Sequence, residues 1–263
     1  MRKENSVKKN PWRRVLRFAI LAAVLLSLTA VCMSLFVSRH ALRTAEEYRT
    51  QFPETVITLD PDGSVKLIPG QGTEQKQSGL IFYIGAQITP DAYIPLLARL
   101  AEQGYFCAVP KIPFNMASLK PGAAETVIAE HPEIKRWYLA GHSMGGYTAS
   151  GFCADHSEQV SGLILIGAYT ARDLSDASLP VLSVYGDADG VLNLSLYEKR
   201  RAWNPAGFEE HILPGANHAQ FGDYGDQPRD NDARISMDTQ QEETALIICD
   251  WLARQESKET ASR

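Results

Sequence analysis

Gly141-His142-Ser143-Met144-Gly145-Gly146 lies between an apolar run at 136–140 and a helical stretch through Tyr147 and Phe152. A serine at a sharp strand-to-helix turn must hold a strained backbone, and side chains on the flanking residues would collide with neighbouring backbone, so glycine is needed there. The spacing predicts a Ser143 hydroxyl projecting from the carboxyl edge of a sheet. A bare Gly-x-Ser-x-Gly arises by chance in about one chain in ten of this length, so the strand before it and the helix after it carry the inference.

Outward from that turn the pattern alternates. Apolar runs of strand length occur at 80–84, 105–109, 136–140, 160–166, 181–185 and 208–213. Several are apolar throughout, as strands covered on both faces of a parallel sheet are. Helical stretches fall between them at 89–103, 123–130 and 194–203, and a closing helix at 239–255 places Ala245, Ile248, Cys249 and Leu252 on one face. Pro95 inside the first of these implies a kink or a later start. Residues 55–59 and 65–68 flank Asp62-Gly63 as a hairpin. The alternation predicts an α/β fold with a mostly parallel, doubly wound sheet flanked by helices.

A serine hydroxyl becomes a useful nucleophile when a histidine takes its proton and a carboxylate orients that histidine. In such a sheet the three arrive in the order serine, acid, histidine, each on a loop after a strand. The run at 181–185 leads into Gly186-Asp187-Ala188-Asp189-Gly190-Val191, and the run at 208–213 into Pro214-Gly215-Ala216-Asn217-His218. Ser143, Asp189 and His218 are therefore the expected triad. Asp187 shares the acid loop and stands as the alternative, with Asp189 preferred because it lies deeper past the strand. His131, His142, His156 and His211 are read as structural. Oxyanion donors are expected from the backbone of Met144 and of Ala86, in Tyr83-Ile84-Gly85-Ala86-Gln87, with Gln87 as the fallback.

Over about 79–251 the chain resembles the α/β-hydrolase superfamily, and its compact branch related to the dienelactone hydrolases. The residues carrying the resemblance are Gly-His-Ser-Met-Gly-Gly, Gly-Asp-Ala-Asp-Gly-Val and Gly-Ala-Asn-His-Ala-Gln-Phe-Gly. It departs from that branch in using serine instead of a cysteine nucleophile, and in Ile84-Gly85 where relatives carry His-Gly. The resemblance implies hydrolysis of an ester-type acyl bond through an acyl-enzyme, with no cofactor and no metal. Only 167–180 separate two strands where many relatives insert a helical lid, so an open site is expected. Tyr169, Phe114, Met116 and Phe221 are candidates for its mouth. Asp223, Tyr224, Asp226 and Asp230 form an acidic stretch read as a solvated loop, with a cation site as the alternative.

The charge is unevenly divided. Residues 1–40 hold eight basic side chains and one acidic, leaving 18 basic and 30 acidic in 41–263. Seven of the basic residues precede residues 18–37, twenty residues without a charge. A helix of that length spans about 30 Å, the thickness of a bilayer core, and flanking basic residues stay on the cytoplasmic side. The expected organisation is a basic cytoplasmic segment at 1–17, one transmembrane helix at 18–37 with a cleavable signal peptide as the competing reading, a stalk at 38–54, the hydrolase domain at 55–255 and a loose tail at 256–263. An acidic extracytoplasmic domain disfavours nucleic acid as a partner and suits a small-molecule or surface ester. No obligate protein partner is implied. Cys107, Cys153 and Cys249 are too few and too scattered for a disulfide framework or a zinc cluster. The leading expectation is a membrane-anchored carboxylesterase. An acyltransferase or peptidase with the same triad, and a non-catalytic binding module on the same fold, are the alternatives.

Overall fold

The computed structural model describes residues 11–36 and 38–261. It divides into an amino-terminal unit ending at residue 37 and a second unit beginning at Ser38. The first is one helix, α1 (Pro11–Phe36), with side chains exposed over 16–29. Among the described residues no helix is long and apolar enough to cross a membrane. The transmembrane span expected at 18–37 is thus not found, and its last residue, like 1–10 of the basic segment and 262–263 of the tail, lies outside the described residues.

In the second unit the order is α2 (Ala45–Gln51), β1 (Thr55–Leu59), β2 (Val65–Pro69), β3 (Ser78–Tyr83), α3 (Ile94–Ala101), β4 (Phe106–Val109), α4 (Ala123–Glu130), β5 (Arg136–His142), α5 (Met144–Asp155), β6 (Gly162–Ile166), β7 (Val181–Gly186), α6 (Leu194–Arg200), β8 (Glu209–Leu213) and α7 (Met237–Ala261). Eight strands form one sheet in the order β1-β2-β4-β3-β5-β6-β7-β8. From β4 to β8 all neighbours are parallel, while β1–β2 and β2–β4 are antiparallel. Parallel neighbours require crossovers, and the helices supplying them cover both faces, so β3, β4, β6 and β7 are buried along their whole length. This packing turns the ends of β5, β7 and β8 toward one edge, where the loops carrying Ser143, Asp189 and His218 emerge.

Local chemistry explains where elements start and stop. Pro95 neither kinks nor breaks a long helix. A 3-10 turn occupies Pro90–Tyr93 and α3 begins at Ile94, which puts Pro95 in the first turn, where its missing N–H costs nothing. Thr44 opens α2 through a capping box with Glu47. α7 continues to Ala261, through most of the residues expected as a loose tail.

Residues 38–54, expected as a stalk, are woven into the second unit. The Arg39 N–H donates to Gln87 O at 2.6 Å, and the Thr89 N–H donates to Arg39 O at 2.9 Å. The Leu42 N–H donates to Asp223 O at 2.9 Å, and Arg43 Nε to Asp223 Oδ2 at 2.6 Å. The Asp223 side chain is 1% exposed and also accepts the Tyr48 hydroxyl at 2.8 Å. Burial first, and then the neighbouring Asp223 carboxylate, push the Tyr48 phenol well above its usual range, so it stays a donor. Removing one partner of a buried ion pair strands the other. Arg43→Ala is accordingly expected to lower unfolding free energy by about 3 kcal/mol. Urea denaturation measures this, and a loss below about 1 kcal/mol, the worth of a surface pair, contradicts the buried-pair account.

Candidate active site

Ser143 sits between the last residue of β5 and the first of α5 with φ 56° and ψ −122°, a conformation that L-residues rarely adopt. Its neighbours show why they are glycines. A Cβ on Gly145 would lie 1.9 Å from Tyr83 O, and one on Gly141 would lie 2.4 Å from the Gly145 carbonyl carbon. A Cβ on Gly146 would lie 2.6 Å from Gly141 O. The turn can close only where backbone meets backbone.

Loops after β7 and β8 bring Asp189 and His218 together. His218 Nδ1 and Asp189 Oδ2 are 2.8 Å apart, with side chains 1% and 0% exposed. The other Asp189 oxygen accepts the N–H groups of Val191 at 2.9 Å and Leu192 at 2.8 Å, which fixes the carboxylate's orientation. His218 Nε2 has no hydrogen-bond partner among the described residues. Ser143 and His218 line one cavity of about 300 Å³, walled by Met144, Tyr147, Tyr169 and Leu192. A serine in a strained turn and a histidine ring nitrogen without a partner among the described residues thus share one pocket, with a buried carboxylate on the histidine's other nitrogen.

Asp187 is placed differently. Its carboxylate accepts the Gly215 N–H at 2.6 Å and pairs with Arg234 at 2.6 Å, with the side chain 41% exposed. It ties the acid loop to the start of the histidine loop and does not contact His218.

The loop after β3 holds the other expected oxyanion donor. The Gly85 N–H donates to the Tyr93 hydroxyl at 3.0 Å, and the Gln87 N–H donates to Asn115 O at 2.7 Å. Between these two engaged neighbours the Ala86 N–H has no backbone partner among the described residues. At the first residue of α5, Met144 presents an N–H that a helix leaves without an internal partner.

His142, read from the sequence as structural, is fully buried next to His218. Its Nδ1 lies 2.9 Å from the Tyr93 hydroxyl and its ring centroid 4.4 Å from that of His218. Complete burial, and then the adjacent His218, hold its pKa well below the usual imidazole range, so it stays neutral. Gly85 makes room for this pair, since a Cβ there would meet the Tyr93 hydroxyl at 2.9 Å and His142 Nδ1 at 3.0 Å.

Sequence reasoning missed three contributors. Tyr93 links the β3 loop to the serine turn. Gly167, at φ 52°, leaves space for the acid–base pair, because a Cβ there would lie 3.0 Å from His218 Nδ1. Gln240 on α7 clamps Asn217, accepting its N–H at 3.0 Å and donating to its carbonyl at 2.7 Å. A glycine immediately after a buried strand was the one available signal, at Gly167.

Of the residues considered for the mouth, Tyr169 lines the cavity. Phe114 is 48% exposed on the loop after β4. Phe221 is fully buried against His142, with ring centroids 5.8 Å apart, and does not line the cavity. The acidic stretch is a solvated loop only in part, with Asp226 exposed. Asp223 is buried against Arg43 and Tyr48, and Tyr224 is buried with its hydroxyl on Gln227. Among the described residues no cluster of His, Cys, Asp or Glu is arranged to hold a metal.

Comparison with known proteins agrees with this architecture. The sequence pattern of the alpha/beta hydrolase family matches residues 79–242. No curated protein matches the chain by sequence. Among solved structures, Est1E from Butyrivibrio proteoclasticus is similar with a TM-score of 0.55 at 14% identity, covering 78% of this chain and 99% of its own. A predicted CIB-like hydrolase from Thermoplasma acidophilum gives 0.52 at 16% identity, with 75% and 98% covered. A hormone-sensitive lipase from a metagenome library gives 0.54 at 15% identity, with 80% and 89% covered. At such identities the likeness shows the fold alone.

Proposed function

The chain belongs to the alpha/beta hydrolase family, and on that premise we propose that it is a serine hydrolase cleaving carboxylic esters through an acyl-enzyme on Ser143. The single observation that carries the reading is the buried Asp189–His218 pair at 2.8 Å, whose histidine shares a cavity with a serine in a strained turn.

In this mechanism Ser143 Oγ attacks the ester carbonyl while His218 Nε2 takes its proton. Asp189 holds Nδ1–H, keeps the tautomer that leaves Nε2 basic, and stabilises the imidazolium as it forms. The backbone N–H groups of Met144 and Ala86 receive the oxyanion. His218 then returns the proton to the departing alcohol, and a water repeats the sequence to release the acid. Preorganised donors of this kind contribute about 3–4 kcal/mol each when deleted elsewhere. The 167–180 connection contains no helix among the described residues, so the cavity opens without a helical cover.

A fluorophosphonate probe tests the reading, since it phosphonylates a serine that a histidine activates. Wild-type protein should label at Ser143 and should hydrolyse activated esters. Absence of both, where another serine hydrolase reacts, refutes the enzyme reading.

The same proposal includes a membrane tether. It is supported by the uncharged run at 18–37 and the seven basic residues before it, which by the positive-inside rule keep the amino terminus cytoplasmic and the hydrolase unit outside. Protease added to intact cells should then digest the unit from Ser38 onward. Protection of that unit, or its release by high salt without detergent, overturns the tether.

A further inference from the structure

Asp230 lies on the loop beyond His218, and its carboxylate is shared by the two loops that carry the acid and the base. Oδ1 accepts the Gly190 N–H at 3.0 Å and the His218 N–H at 3.2 Å, while Oδ2 accepts the Ala219 N–H at 2.7 Å. Gly190 directly follows Asp189, so one side chain holds both catalytic loops by their backbones. The approach is close. A Cβ on Gly190 would lie 2.5 Å from Arg229 O and 2.9 Å from Asn231 N, and Arg229 takes φ 75° where the loop turns in. Asn217 Nδ2 donates to Asn231 O at 2.9 Å and closes the same junction from the histidine side.

We propose that Asp230 is a positioning residue that locks the Asp189 and His218 loops in register, and so sets turnover without touching substrate. The proposal rests on the serine hydrolase reading above. Its physical basis is the donor set. Three N–H groups from two loops converge on one carboxylate, and bonds to a charged acceptor are roughly twice as strong as neutral ones. A triad must be held within about 0.5 Å of its productive geometry, and a displacement of about 1 Å costs on the order of 100-fold in rate. A neutral amide cannot replace the carboxylate, because Asp230→Asn must turn its NH2 toward N–H donors on one side or the other.

The test compares Asp230→Asn and Asp230→Ala with wild type in the full chain. Both variants are expected to lose about 10- to 100-fold in kcat with KM held within about twofold. Amide hydrogen exchange should accelerate at 189–192 and 217–220 and stay unchanged in β3 and β5. Asp226→Asn removes an exposed acid from the same loop and should leave kcat as in wild type. A kcat within about threefold of wild type for Asp230→Asn overturns the proposal. So does exchange that rises uniformly over the unit, which marks general destabilisation. The exchange comparison is repeated with Ser143→Ala as the parent, so the tie between the loops is judged even if wild type proves inactive. Inactive wild type defeats the hydrolase reading, whereas unchanged exchange at 189–192 and 217–220 defeats the positioning role.

Discussion

Ser143→Ala is expected to abolish fluorophosphonate labelling and to lower kcat for an activated ester by about 10⁵- to 10⁶-fold, while the protein stays folded. The size follows from the triad acting as a unit. Without Oγ neither His218 nor Asp189 has a proton to move, and only binding and the oxyanion donors remain. Stability should move the other way or not at all. Ser143 holds φ 56° because the fold imposes it, not because serine prefers it. Such strain is of order 1–3 kcal/mol and is tolerated only where the surrounding structure enforces it. Ser143→Gly, which adopts positive φ at no steric cost, should therefore be inactive and yet more resistant to thermal unfolding than wild type. A glycine variant less stable than wild type contradicts the claim that the turn is strained. Retained labelling in the alanine variant places the nucleophile elsewhere.

The parts of this site that could be read from the sequence are those written locally. The glycines around Ser143 answer to contacts within a few residues, and the strands announce themselves as apolar runs, so the turn and the strand ends preceding Asp189 and His218 were accessible. What could not be read depends on which loops meet at the sheet edge. Tyr93 joins His142 across 49 positions, and Asp230 reaches Gly190 across 40. No periodicity encodes either contact. The same holds for residues 38–43. Their polar composition reads as a linker, but hydrogen bonds from Arg39 and Leu42, together with the Arg43 ion pair, join them to the loops after β3 and β8. Asp223 and Asp230 shared a run of acids and nothing in the run distinguished them. Only folding shows that one carboxylate is buried on Arg43 while the other collects backbone N–H groups.

Asp189→Asn should lower kcat/KM by about 10³- to 10⁴-fold, and Asp187→Asn by less than about tenfold, although the two acids stand two residues apart. The difference is one of hydrogen-bond polarity. Asp189 presents one oxygen to the Val191 and Leu192 N–H groups and the other to His218 Nδ1. An asparagine that keeps its carbonyl on the two N–H groups must point its NH2 at Nδ1. Nδ1 then has to accept, which moves the ring proton to Nε2, the atom that must take the proton of Ser143. The opposite rotamer sets NH2 against two N–H donors and unseats the loop. Either way the base is lost while the shape is kept. Asp187 faces no such constraint. Its bonds go to the Gly215 N–H and to Arg234, whose side chain is 60% exposed. An asparagine carbonyl can still accept from Gly215, and a pair so open to water contributes about 0–1 kcal/mol. Steady-state kinetics on both variants, with circular dichroism to confirm that each is folded, decides the matter. A larger loss at Asp187 than at Asp189 would reverse the assignment and require His218 to take its orienting carboxylate from a different arrangement of the same loop.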